Sequence, residues 1–256
     1  MSSSPNHEAA CDKITADISK IETYEDRIRK FEPDIVIHAA WLKTHNYSLD
    51  TSIDNLASTI KFLQLCFSLN SVKKIIGLGS CLEYGDVNSE CLEDLAVIPN
   101  SYFSWCKDSI RKYCEVASIA ESKKFNWFRI FYAYGPNQRA EALIPTAIRT
   151  ASNHKDATAR NPHASLDLIH VYDIANAVDI ATQSECSGVF NLGSGISYNN
   201  SEIMDKINHM FKGKDYKIRE RRFGMRSNND KISNELGWKP TISLDKGLRE
   251  LIELEK

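Results

Sequence analysis

Ser80 ends the apolar run Lys74-Ile75-Ile76-Gly77-Leu78-Gly79, and Lys107 follows Phe103 by four residues inside the helix-like stretch 101–120. Residues four apart on a helix share one face, so Phe103 and Lys107 point the same way. Tyr102 lies one residue earlier, rotated by roughly 100° from that face. Read plainly, Ser80 is a strand-end hydroxyl satisfying nearby backbone and Lys107 is a solvated surface lysine. Cys81 follows Ser80, and a buried cysteine is more often a small core residue than an acid or base. The seven cysteines (Cys11, Cys66, Cys81, Cys91, Cys106, Cys114 and Cys186) are odd in number and contain no C-x-x-C pair. They read as reduced thiols of a cytoplasmic protein, with neither a disulfide frame nor a metal site. Arg160, Arg221, Arg222 and Arg226 offer guanidinium groups for phosphate, or else form a solvated basic surface.

These residues need a scaffold. Hydrophobic residues make up 42% and charged residues 26%, with a formal net charge of -2. That composition is globular and carries no positive field that would argue for nucleic acid. No apolar run reaches membrane-spanning length, and residues 1–10 lack a signal-peptide pattern. Four short runs (35–40, 74–79, 127–131 and 189–192) read as strands, the first two buried on both faces. Helical periodicity lies between them: 24–31, then Ile53, Leu56, Ile60, Leu63 and Phe67, then 101–120, 140–151 and 173–182, with Asp173 placed to cap the last. Residues 153–166 read as irregular. Further on, a helix at 201–211, a strand at 216–219 and a helix at 244–254 are expected. Strand–helix alternation at this spacing means a parallel sheet.

Six segments together resemble the extended short-chain dehydrogenase/reductases, the nucleotide-sugar epimerases, dehydratases and 4-keto-reductases. They are Ala16-Asp17-Ile18, Pro33 to Ala40, Gly79-Ser80-Cys81-Leu82-Glu83-Tyr84-Gly85, Arg129 to Pro136, Asp167 to Ala175, and Leu236-Gly237-Trp238-Lys239-Pro240. The resemblance runs from about Asp17 to Leu254. It implies a Rossmann-like α/β fold with a small α+β C-terminal lobe, NAD or NADP as cofactor, and a nucleotide-sugar substrate. By the same likeness Asp17, Ile18, His38, Ala39, Ala40 and Lys107 contact cofactor, Ser80 and Lys107 are catalytic, and Tyr84, Tyr132 and Arg222 face substrate. In such enzymes a tyrosine phenol exchanges a proton with the substrate while the lysine four residues on lowers the phenol pKa. Here Phe103 stands at the tyrosine position and Tyr102 is one residue off. Leu166 replaces a common arginine, Tyr132 a common asparagine, and Cys81 and Leu82 stand where the dehydratase subtype wants an acidic pair, which disfavours dehydration.

A dinucleotide fold begins with a strand, a glycine-rich turn and a helix whose N–H groups hold pyrophosphate. The first glycine here is Gly77. The expectation is therefore a family member truncated at its N-terminus, with residues 1–136 an incomplete cofactor domain to which 167–195 return, and 137–256 mainly a substrate lobe. A different α/β fold that never had the loop is the alternative. Truncation further predicts that the 35–40 strand becomes a sheet edge, covered by the N-terminal segment or by another chain. Two functions follow: an epimerase or 4-keto-reductase with impaired catalysis, or a non-catalytic relative that binds a sugar nucleotide or a partner subunit. The likeness also implies pairing of two copies through a two-helix face.

Overall fold

A computed structural model describes residues 13–43, 46–213, 216 and 224–255. Helix α1 (Glu25–Phe31) leads into β1 (Ile35–His38), α2 (Leu49–Ser68), β2 (Lys74–Leu78), α3 (Tyr102–Ala120) and β4 (Lys124–Ile130), with a two-residue strand, β3 (Glu90–Cys91), before α3. The chain continues through β5 (Tyr132–Tyr134), α4 (Leu143–Ser152), β6 (Ser165–His170), α5 (Val171–Gln183), β7 (Gly188–Leu192), β8 (Ser197–Asn199) and α6 (Asn200–Lys212). It ends with β9 (Arg226–Ser227), α7 (Asp230–Leu236) and α8 (Leu244–Leu254).

The main sheet has the order β1-β2-β4-β7, and every pair in it is parallel. β2 and β4 are buried on both faces, as near-continuous apolar runs require, whereas β1, expected to be so as well, is not, because it lies at the sheet edge. On one face Leu63 and Phe67 of α2 and Ile110 of α3 pack against Ile75, Phe125 and Trp127. On the other, Ala177 of α5 and Ile232 of α7 meet Ile76, Phe128 and Phe190, with Trp238 closing the cluster. The α/β fold and parallel sheet expected from the periodicity are what the structure has.

A second, three-stranded sheet runs β5-β6-β8, with β8 antiparallel. Its core joins Tyr134 and Leu168 to Ile144, Ile148, Ile203, Ile207, Leu248 and Ile252 of α4, α6 and α8. The last residues of the stretch expected to be irregular open β6, because Ser165 to Asp167 find a ladder partner in Ser197 to Asn199. Most of the strand expected at 216–219 lies outside the described residues.

One further local expectation fails. Helix α5 starts at Val171 and is capped by His170, whose Nδ1 accepts from the Tyr172 N–H at 3.3 Å. Asp173 instead accepts from the Thr241 N–H and hydroxyl and the Ile242 N–H, at 3.1, 2.7 and 3.0 Å. It secures the segment before α8 rather than its own helix. β1 is a sheet edge, as expected, and at its free side no strand pairs among the described residues. Residues 13–20 pass by as an irregular stretch, because the Asp17 carboxylate accepts from the Ser19 N–H and hydroxyl and bends the chain out of a ladder geometry. Ile37 is left 48% exposed.

Candidate active site

Parallel strands bring their C-terminal ends to one side, where ligands of open α/β sheets bind. Here those ends deliver His38-Ala39-Ala40-Trp41 after β1, Gly79-Ser80 after β2, Phe131 after β4 and Gly193 after β7. Gly77 and Gly79 are glycines for a packing reason: a Cβ on either would overlap the Trp127 indole.

Ser80 caps a 3-10 turn, Cys81–Tyr84. Its hydroxyl accepts from the Leu82 N–H at 3.2 Å, and its own N–H donates to Glu83 Oε1 at 2.9 Å. Glu83 is fully buried and also accepts from Trp127 Nε1 at 3.0 Å and Arg129 Nε at 3.1 Å. Burial pushes its carboxyl up, and Arg129 pulls it back. The Ser80 backbone is thus held by a buried ion pair that the sequence reading left without a role. Ser80-x-x-Glu83 has the spacing of a capping box, which is the signal that would have found it.

Lys107 lies on the buried side of α3 and is 7% exposed, which excludes the solvated-lysine reading. Its Nζ donates to the Leu78 carbonyl at 2.8 Å, two residues before Ser80. Burial holds its pKa down at about 8, with Glu83 opposing the shift. The Trp41 ring centre is 4.6 Å from Nζ and the Phe103 ring centre 5.9 Å. A desolvated cation on an aromatic face is worth about 2 kcal/mol. Phe103 in turn meets Trp41 edge-on at 5.0 Å and Tyr47 at 4.7 Å. Tyr102 is 52% exposed and away from this cluster. Trp41 and Tyr47 are site neighbours that sequence reasoning missed; Trp41 directly follows the Pro33 to Ala40 segment, but nothing in its spacing announces a partner on α3.

Of the residues expected at cofactor, Ile18, His38, Ala39 and Ala40 line one groove of about 380 Å3 with Ile14 and Ile37. His38 is buried, with its pKa lowered to about 4 first by burial and then by Lys107. Asp17 is engaged in its Ser19 turn, and those hydrogen bonds lower its pKa. Tyr84 is packed inside: its hydroxyl donates to Asn191 Oδ1 at 2.7 Å, and the Arg129 guanidinium stacks 4.4 Å from its ring centre. Tyr132 lines a separate cleft of about 380 Å3 with Leu82, Asp86, Asn100, His163 and Met225. Arg222 and Arg221 lie outside the described residues. Cys81 is 2% exposed with its thiol pKa pushed up by burial, so it is a core residue rather than an acid or base.

A nicotinamide ring beside Lys107 does not fit these contacts. The amine is committed to Leu78, and Trp41 covers it. Phe103 offers no hydroxyl. The groove at His38 to Ala40 remains as a largely apolar slot for a flat ring. Among the described residues no His, Cys, Asp and Glu cluster suits a metal ion, and no helix is long and apolar enough to cross a membrane.

The model of the NAD dependent epimerase/dehydratase family matches residues 2–193. The low-salt glycan biosynthesis protein Agl12 of Haloferax volcanii is 23% identical, over 97% of this chain and 82% of that protein. Among solved structures, a UDP-glucuronic acid 4-epimerase variant from Bacillus cereus, in complex with UDP-4-deoxy-4-fluoro-glucuronic acid and NAD, superposes with a TM-score of 0.80. It is 21% identical, and the match covers 95% of this chain and 82% of that one. RMD from Pseudomonas aeruginosa, complexed with NADPH, also has a TM-score of 0.80 at 21% identity, covering 96% of this chain and 91% of its own.

Proposed function

The chain belongs to the NAD-dependent epimerase/dehydratase family, and from that premise we propose that it binds a sugar nucleotide but has impaired epimerase or 4-keto-reductase chemistry. One observation carries this reading. Phe103, without a phenol, occupies the position four residues before Lys107, and its ring is fixed against Trp41 and Tyr47. Proton transfer to a sugar hydroxyl or carbonyl therefore has no donor there, since Tyr102 points elsewhere and Cys81 stays neutral. In this reading the four-stranded sheet is the cofactor body. The lobe of β5, β6 and β8 with α4, α6 and α8 is the substrate part, and the cleft at Tyr132 takes the sugar. NAD or NADP, bound by relatives, binds this chain weakly. Ser80 and Lys107 then serve the fold before they serve a reaction.

Calorimetric titration with UDP-, dTDP- and GDP-sugars, followed by product analysis with NAD(P) and NAD(P)H added, tests the proposal. Saturable binding of at least one sugar nucleotide without product is the expected result. Turnover by the unmodified chain overturns the impairment.

A second reading has its own support. Tyr102, Trp105, Val116 and Ile119 share one face of α3 with exposures of 52, 47, 70 and 81%, two apolar pairs with Ser109 and the exposed Lys112 between them. Such an interrupted stripe on a helix already packed against α2 suits a subunit contact, so a non-catalytic partner in a homodimer is the alternative.

A further inference from the structure

The closure over Lys107 comes from Trp41 just after β1 and Phe103 on α3, and Tyr47 just before α2 packs on Phe103. The backbone beside Trp41 is fixed. The Leu42 N–H donates to Asn55 Oδ1 at 2.6 Å, and Asn55 Nδ2 donates back to the Leu42 carbonyl at 3.1 Å. Asn55 is itself buried in α2. What remains free to turn is the indole. Its position has a cost, because Trp41 Nε1 is buried with no acceptor. An orphaned donor opposes the closed state, while the cation–aromatic contact with Lys107 favours it. The two interactions act in opposite directions on one side chain whose backbone is pinned.

We propose that Trp41 is a side-chain gate: closed, it seals Lys107 against the Leu78 carbonyl; open, it gives its indole N–H to water and uncovers the Lys107 amine. This deepens the reading above, in which the amine has lost its phenol partner, and says what the lysine does instead. The groups facing the amine are His38 from β1 and Glu83 from the turn after β2. The aromatic rings over the amine are Trp41 and Phe103.

Acylation of lysines by an N-hydroxysuccinimide ester, read by peptide mapping, tests the gate. Lys112, with a side chain 63% exposed on the same helix, is the internal standard. A gate closed about ninety-nine parts in a hundred slows Lys107 about a hundredfold relative to an open amine. Trp41→Ala is expected to raise the Lys107 rate at least about tenfold with Lys112 unchanged. Should Trp41→Ala fail to fold, Trp41→Phe keeps a ring and removes the donor that opposes closure, so its Lys107 rate should not exceed that of wild type; a faster rate overturns the gate. Equal Lys107 rates in wild type and in folded Trp41→Ala overturn the gate and leave the impaired-catalysis reading intact. Turnover by wild type overturns that reading and leaves the labelling result to stand by itself.

Discussion

Phe103 differs from a tyrosine by one oxygen, yet adding that oxygen does not make a site. A phenol at 103 would point into the box of Trp41 and Tyr47, and Lys107 would still serve Leu78. Phe103→Tyr alone is expected to give no product from any sugar nucleotide that binds; activity from the single change would show that the lysine is available after all. Lys107 itself sets a pH signature. Its folded pKa of about 8 lies below the unfolded value of 10.5, so the unfolded chain binds the extra proton between those limits. Folding stability from this group therefore rises as pH increases from 8 toward 10.5, by about 3 kcal/mol in total, and the penalty is complete below pH 8. Urea midpoints of Lys107→Met should lack that rise. Glu83 is a third residue-scale case. Glu83→Gln leaves Arg129 buried without its counter-charge and is expected to cost about 3–5 kcal/mol by denaturant unfolding. The residues of this site were readable as positions but not as contacts. Ser80, Phe103 and Lys107 stand out by spacing, whereas Trp41 and Glu83 matter through partners distant in the chain.

At the scale of elements, the parallel sheet was legible because β1, β2, β4 and β7 are apolar runs closed by small residues. Helices α2, α3 and α8 carry stripes long enough to read. The lobe was harder. Strands β3, β8 and β9 have two or three residues, too few for a period, and depend on partners far along the chain. Asp173 looked like a cap because caps are local, but tertiary donors at Thr241 and Ile242 claimed it. Asp167 is a similar long-range tie. It is buried at the start of β6, and it accepts from Ser194 and Gly195 after β7 and from Ser227 of β9, at 2.6 to 3.1 Å. Burial raises its pKa and those donors oppose the shift. Asp167→Ala frees several buried donors at once, each costing about 1–3 kcal/mol. It should lower the urea midpoint sharply and raise amide exchange first in β8 and β9; a midpoint within experimental error of wild type would contradict the tie.

For the whole molecule, the α3 stripe and the free side of β1 are two apolar features with different expected fates. The stripe is the face of α3 that the second reading sets against another copy. Wild type is expected to sediment as a dimer at micromolar concentration and Ile119→Glu as a monomer, while a monomeric wild type would remove the subunit reading. The β1 edge borders the groove of Ile14, Ile18, Ile37 and His38 to Ala40, where the family likeness put the cofactor. That groove, the covered lysine and the missing phenol bear on one claim, that this family member does not hold a nicotinamide dinucleotide for hydride transfer. Calorimetric titration of the purified 256-residue chain with NAD and with NADP tests it most directly. Dissociation constants in the millimolar range or weaker are predicted for both, and micromolar binding of either would contradict the account.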